Sequence, residues 1–365
     1  MNWKSFFIDE LEPVQPYQPG LREEQIREIA QAPIIHKLSS NENPNPPFPS
    51  ALQAMQACLP HLKEYPDGSC YELKQGLSAA YGVPSEQIMV GNGNNELLML
   101  LAQACLTPGS RVAYCWPSFI VYRLEAQIMG VAFDEVPLTT DGRFDVDGLL
   151  EVITPETKMV TLCSPNNPTG GIITQAELER FMAAIPEHVL VVLDLAYIEF
   201  VTDTDHLDPL SFFDGKRPLV ILHTFSKIYG LAGARVGFGF APPQVVETMD
   251  RLREPFNVNT VAQVGALASL GQTKELDKRR EENACERARL CEAFDAMGLK
   301  YYTSHANFVW VCVPEPEQTF EELLKLGVIV RPFPGAGGLR VTVGNKENTL
   351  ATIQAFEQLF GAEAS

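Results

Sequence analysis

Four short segments carry the side chains from which chemistry could be built. Thr224-Phe225-Ser226-Lys227 offers a hydroxyl and an amine at the end of an apolar run, with Arg235 eight residues past the lysine. Asp194-Leu195-Ala196-Tyr197 follows a second apolar run, and Ser164-Pro165-Asn166-Asn167-Pro168-Thr169-Gly170 a third. Gly91-Asn92-Gly93-Asn94-Asn95-Glu96 precedes LLMLLAQAC, where backbone N–H groups at a helix start can face an anion. Singly, each has an ordinary explanation. A lysine at a strand end is commonly a solvated surface residue, glycine and asparagine make tight turns, and the third glycine of a dinucleotide fingerprint is missing. At one sheet edge the set fits one cofactor, pyridoxal phosphate. Its aldehyde needs a lysine amine, and its ring nitrogen needs a carboxylate to stay protonated and withdraw electrons. Its phosphate needs a cationic, hydroxyl-rich cradle.

These segments share an edge only if the runs before them are strands of one sheet. Short apolar runs at 87–90, 112–115, 159–163, 189–193, 219–223 and 235–240 alternate with amphipathic stretches, the pattern of β-α-β units in a mostly parallel sheet. In such sheets ligands bind beyond the carboxyl ends of the strands, where the four segments stand. Thr174-Gln175-Ala176-Glu177 reads as a capping box, followed by Leu178, Phe181, Met182 and Ile185 at helical spacing and closed by Pro186. After about residue 255 the texture changes. A long charged helical stretch at 274–297 precedes a strand at 307–312, a helix at 319–326 and paired strands at 328–331 and 339–343, which predicts a smaller α+β domain. The expected organisation is an arm over 1–35 packing on the small domain, a large α/β domain over 36–254, and the small domain over 255–365.

Composition narrows the partners. With 45% hydrophobic and 20% charged residues, the chain is that of a globular protein. Acidic residues outnumber basic ones by 46 to 28, a formal charge of −18 that repels nucleic-acid backbones and anionic lipid surfaces. No apolar run approaches a membrane span, and acidic residues interrupt the start before a signal-peptide core forms. Eight cysteines without C-x-x-C spacing predict reduced thiols in the cytoplasm. Six histidines without H-x-x-x-H spacing give a metal site little support.

The sequence resembles the fold-type I, pyridoxal-phosphate-dependent aminotransferases, and within them the histidinol-phosphate aminotransferase group. The resemblance runs from YQPG (17–20) and LSSNENP (38–44) through YPDGSCYEL, GNGNNE, SPNNPTG, DLAY and TFSKIYGLAGARVGFG to PFNVNTVAQ, NFVW and GLRVTVG (338–344). It implies a mostly parallel seven-stranded α/β sheet flanked by helices, with a smaller α+β domain. It also implies that Lys227 bonds the cofactor aldehyde and shuttles the proton between substrate Cα and cofactor C4′, with Asp194 on the ring nitrogen. Asn167 and Tyr197 would hydrogen-bond the ring hydroxyl, and Phe119 would stack on the ring. Ser226, Arg235 and the backbone at Asn94 and Asn95 would hold the phosphate, joined by Tyr65 from the neighbouring subunit of a homodimer. Tyr17, Asn41, Arg331 and Arg340 would face the substrate. Relatives carry an acidic residue where this chain has Leu195, and an S-D pair where it has Asn94-Asn95, which puts the holding of the phosphate-side loop in question.

The implied reaction is ping-pong transamination between a small-molecule amino donor and a 2-oxo acid, with histidinol phosphate and 2-oxoglutarate as the expected pair. Planar, always-charged arginines suit both a phosphate ester and a dicarboxylate. An aromatic amino-acid aminotransferase is the nearest alternative, and a decarboxylase of a phosphorylated amino acid a more distant one. The presence of both Lys227 and Asp194 argues against a binding module that has lost its chemistry. The broken glycine fingerprint argues against a nucleotide-binding oxidoreductase, and a DNA-binding regulator would need a further helix-turn-helix module.

Overall fold

The computed structural model describes residues 32–333 and 335–361, together with 6, 7, 9–12, 14, 15, 26, 29 and 30. Its strands are β1 (His36–Lys37), β2 (Ile88–Gly91), β3 (Arg111–Trp116), β4 (Ala132–Pro137), β5 (Thr157–Cys163), β6 (Leu190–Asp194), β7 (Leu219–Thr224), β8 (Gly237–Phe240), β9 (Phe308–Cys312), β10 (Val328–Ile329), β11 (Arg331–Phe333) and β12 (Gly338–Thr342). The helices used below are α1 (Pro49–Cys58), α2 (Tyr71–Tyr81), α3 (Asn94–Cys105), α4 (Val121–Ile128), α5 (Val146–Glu151), α6 (Gln175–Ala184), α7 (Pro243–Leu252), α8 (Thr260–Ser269), α9 (Thr273–Ala296), α10 (Pro316–Lys325) and α11 (Lys346–Phe360).

Strands β2 to β8 form the expected seven-stranded sheet, in the order β2-β8-β7-β6-β5-β3-β4. Neighbouring pairs are parallel except at β8, which runs antiparallel to both β2 and β7. That reversal matters for chemistry. The carboxyl ends of β2, β5, β6 and β7 point to one edge, and β8 begins at that edge, with Gly237 opposite Gly91 on one side and Thr224 on the other. Central strands β5, β6 and β7 are almost wholly buried, so they read as continuous apolar runs. The strand of this sheet missing from the sequence pattern is β4, an edge strand of half-exposed residues including Asp134 and Glu135, where neither an apolar run nor clean alternation marks the sheet.

Other boundaries shift for local reasons. The expected strand at 189–193 extends to Asp194, which pairs across from both Cys163 and Leu222. The expected strand at 235–240 begins only at Gly237, because Arg235 takes a left-handed φ of 63° after a short turn at Ala232–Ala234. The expected strand at 328–331 divides: Val328–Ile329 pairs in parallel with β1, whereas Arg331 starts β11 and lies opposite Arg340 of β12. The capping box forms as read, Thr174 Oγ1 accepting from the Glu177 N–H and Glu177 Oε2 from the Thr174 N–H.

Two separate apolar cores result. The first fills the faces of the large sheet and includes the fully buried Tyr114, Phe181, Phe225, Phe238 and Phe240; burying a side chain of that size contributes on the order of 2–3 kcal/mol. The second packs α9, α10 and α11 on the small sheet through Leu290, Phe294, Leu323, Val341 and Phe356. Helix α8 packs on α1 and, with Val258 just ahead of it, places Ala262 and Ala266 in the first core, although the sequence texture groups it with the segment after 255. The N-terminal segment meets both sides: Ile26 packs with Leu324 and Ile329, and the turn at Asp9–Leu11 lies against α4. Among the described residues no helix is long and apolar enough to cross a membrane.

Thr174→Ala removes the acceptor that starts α6, one of the helices covering the large sheet. The expected loss is about 1 kcal/mol, read by calorimetry as a fall of roughly 1–2 °C in the unfolding midpoint; an unchanged midpoint would show that the cap carries no stability.

Candidate active site

The common edge of the sheet opens into a cleft of about 650 Å³. Each wall comes from a different stretch of chain. Asn94 and Asn95 arrive at the start of α3, Phe119 just before α4, Asn167 from the loop after β5, and Asp194 and Tyr197 from the end of β6. Ser226 and Lys227 follow β7, Arg235 precedes β8, Asn41 comes from the segment after β1, and Arg340 from β12. Of the other residues expected at the site, Arg331 and Tyr65 do not line this cleft, and Tyr17 lies outside the described residues. Tyr65 is 83% exposed and stacks on Phe256 with ring centroids 4.7 Å apart.

Asp194 is the most constrained group. It is only 3% exposed, and burial pushes its carboxyl above the ordinary carboxylate range. Its partners are neutral donors: Tyr122 Oη at 2.8 Å, the Ala196 N–H at 3.2 Å and Asn94 Nδ2 at 3.4 Å. A charge held this way lacks a cationic partner at hydrogen-bond distance, which a protonated ring nitrogen supplies. Tyr122 is a member that the sequence reading missed. It stands one turn past Phe119 and meets that ring edge-on at 5.7 Å, a spacing that could have flagged it.

Lys227 is partly buried. Its Nζ lies 3.5 Å from the Ser40 carbonyl and 5.4 Å from the centre of the Tyr197 ring. Burial, reinforced by the charge of Arg340, lowers its pKa to about 8, so the neutral, nucleophilic amine is accessible near neutrality. The lysine loop is also tied from outside. Arg279 of α9 donates to the Ile228 carbonyl at 2.7 Å and to that of Pro46 at 2.6 Å, and Asn43 Nδ2 donates to the carbonyls of Lys227 and Ile228 at 3.3 and 3.0 Å.

The anion-binding end lies at the start of α3. Gly93 has φ 82°, and a Cβ there would stand 2.5 Å from Arg235 Nη2, so glycine satisfies both the turn and the approach of the guanidinium. The first N–H groups of a helix lack intrahelical acceptors, and the buried Ser226 hydroxyl lines the cleft nearby. Glu96 holds the loop from behind, its Oε2 accepting from the Asn92 N–H and from Asn257 Nδ2. The loop is therefore anchored by a carboxylate although positions 94 and 95 are asparagines.

Across the cleft the network is closed by amides. Tyr197 Oη accepts from Asn41 Nδ2 at 3.0 Å, and burial raises the phenol to about 12. Asn41, at φ 55°, also takes hydrogen bonds from Thr342 Oγ1 on its side chain and from Asn307 Nδ2 on its carbonyl. Arg340 is 8% exposed and donates to Asn167 Oδ1 at 2.5 Å and to the Ser39 carbonyl at 2.6 Å. A buried carboxylate, an amine, a helix start with an arginine and a hydroxyl, and a flat ring at Phe119 match the parts of pyridoxal phosphate.

Comparison with known proteins agrees with this arrangement. Residues 33–356 match the family described as aminotransferase class I and II. A histidinol-phosphate aminotransferase of Moorella thermoacetica is 42% identical over 352 residues, covering 95% of this chain and 91% of that protein. An aromatic amino acid aminotransferase of Streptomyces coelicolor is 41% identical over 339 residues, covering 93% of each. The crystal structure of histidinol-phosphate aminotransferase from Sinorhizobium meliloti in complex with pyridoxal-5′-phosphate superposes with a TM-score of 0.90, at 26% identity, over 98% of both chains.

Two outcomes follow from the geometry. A Cβ at Gly237 would collide with Asn94 Oδ1 and press on the Asn94 N–H, so Gly237→Ala should weaken pyridoxal-phosphate binding at least about tenfold in a fluorescence titration, while far-ultraviolet circular dichroism stays unchanged; unaltered binding would remove the Asn94 loop from the phosphate end. For the cofactor-free protein, uptake of pyridoxal phosphate should accelerate as pH rises and level off near pH 8, because only the neutral Lys227 amine attacks the aldehyde. A rate still climbing past about pH 10 would mean an ordinary, solvated lysine.

Proposed function

Since the chain belongs to the class I and II aminotransferases, with pyridoxal phosphate as its cofactor, we propose that it transfers the amino group of L-histidinol phosphate to 2-oxoglutarate, reversibly, in histidine biosynthesis. The observation that carries the reading is the convergence of Lys227, Asp194 and the phosphate-type cradle at one sheet edge, with Arg340 lining the same cleft. Bound there, pyridoxal phosphate supplies an electrophilic aldehyde and an electron-withdrawing ring. Lys227 Nζ is the base that accepts the proton released at the substrate Cα. Asp194 holds the proton on the ring nitrogen, and Tyr197 and Asn167 hydrogen-bond the ring hydroxyl. Phe119 covers one face of the ring, while Ser226, Arg235 and the N–H groups of Asn94 and Asn95 hold the phosphate.

A homodimer completes the site in this proposal. The exposed Tyr65 ring, stacked on Phe256 and away from its own cleft, supports a role for it at a second copy's phosphate. Arg331, opposite Arg340 in the small sheet, and Tyr17 complete the proposed substrate contacts. All eight cysteines are free, which supports a reducing, cytoplasmic setting. The second reading, an aromatic amino-acid aminotransferase, is favoured by the 41% identity to the Streptomyces coelicolor enzyme and by the apolar wall that α4 gives the cleft.

The visible spectrum of the purified protein tests both. The yellow band of the lysine-bound cofactor should collapse on adding L-histidinol phosphate and persist with L-phenylalanine; the opposite response would move the substrate to the aromatic class. Lys227→Ala should fold, bind cofactor without that band, and lose at least about 10⁴-fold in kcat. Turnover at the normal rate in that variant would refute the assignment of the base.

A further inference from the structure

Helix α4 walls the cleft with Val121, Leu124, Glu125 and Ile128, spaced i, i+3, i+4 and i+7, so one stripe of the helix faces the ligand. Three of the four are apolar, and the fourth is a carboxylate. We propose that Glu125 selects an imidazole over a phenyl ring, its carboxyl group hydrogen-bonding a ring nitrogen of the substrate. This rests on the histidinol-phosphate reading and adds to it the residue that separates the two substrate classes.

Elimination among the carboxylates of the cleft leads to this residue. Asp194 is committed to Tyr122, Ala196 and Asn94, and Glu42 pairs with Lys37 at 3.2 Å. Glu125 lines the same cleft and is half-buried, and its carboxyl group makes no hydrogen bond or ion pair with any described residue. Its neighbour Arg123 turns elsewhere, forking onto Glu135 and covering the Trp116 ring at 3.9 Å. The cations of the cleft, Lys227, Arg235 and Arg340, come from the β7–β8 connection and β12, so the anionic ends of cofactor and substrate are drawn there, and α4 is left to meet the ring.

The chemistry of the ring then decides. Burial among apolar neighbours raises the Glu125 carboxyl to about 7, close to the ordinary value for imidazole of about 6.5. A carboxylate with an imidazolium, or a carboxylic acid with a neutral imidazole, makes a hydrogen bond in either protonation state. A phenyl ring offers no N–H and no ring acceptor, so it covers the carboxyl without pairing it. Sites built to hydrogen-bond a substrate group discriminate strongly against analogues that lack it.

The test compares wild type, Glu125→Gln and Glu125→Leu as holoenzymes. For each, kcat/KM and the dissociation constant from spectral titration are measured with L-histidinol phosphate and with L-phenylalanine. Glu125→Leu should lower kcat/KM for histidinol phosphate by about 10- to 100-fold and weaken its binding, while phenylalanine is unaffected or improved. Glu125→Gln, which keeps an acceptor and a donor at that position, should recover part of the loss. Equal effects on both substrates, or none, would overturn the role of Glu125 while leaving histidinol phosphate as substrate. A wild type that turns over phenylalanine and not histidinol phosphate would overturn the substrate reading and this inference together.

Discussion

A carboxylate taken out of water at the end of a central strand is the constraint around which this molecule is arranged. Asp194 can stay charged there only if every neighbour serves it, and its neighbours come from distant parts of the chain: Tyr122 from α4, Asn94 from α3, and Ala196 from its own turn. Each of these residues belongs to an element that also delivers something else to the cleft. Helix α3 brings its N-terminal N–H groups, and α4 brings Phe119 at its entrance and the stripe that holds Glu125. Neutral donors stabilise the charge without cancelling it, which leaves room for the ring nitrogen of pyridoxal phosphate to act as the cation.

The lysine is governed by a complementary rule. Burial raises the Asp194 carboxyl above its ordinary range and lowers the Lys227 ammonium below its own, so desolvation biases both groups toward their neutral forms. Its loop does not rely on its own backbone for position. Arg279 and Asn43 grip the carbonyls of Lys227 and Ile228 from the long helix α9 and from the segment after β1. The same long helix joins the second core through Leu290 and Phe294. The amine is thus placed by both parts of the molecule, and any shift of one core against the other would be felt at the lysine loop.

Arg340 shows the same coupling elsewhere in the cleft. It comes from the small sheet, yet its guanidinium donates to Asn167 beside the large sheet and to Ser39 in the connecting segment. Asn41 repeats the pattern by joining Thr342, Asn307 and Tyr197. Side-chain amides of Asn41, Asn167 and Asn307 take part in the hydrogen bonds that bridge the two cores. The guanidinium of Arg340 thereby fixes the small sheet to the loop after β5 and to the segment after β1.

What the chain determined by itself was mostly local. Buried central strands must be apolar throughout, so β5, β6 and β7 and the residues just beyond them were legible, and with them Asp194, Asn167, Ser226 and Lys227. The capping box at Thr174 was legible because its two hydrogen bonds span only three residues. An exposed edge strand needs no such pattern, so β4 left no mark, and the division between β10 and β11 depends on which partner each segment finds across the molecule. The places of Tyr122, Arg279 and Glu125 were hidden for the same reason. A tyrosine, an arginine and a glutamate on amphipathic helices look alike in sequence whether they face water, a carbonyl or a ligand, and only the tertiary structure decides which, because it alone sets how much water each keeps and which partner takes its place.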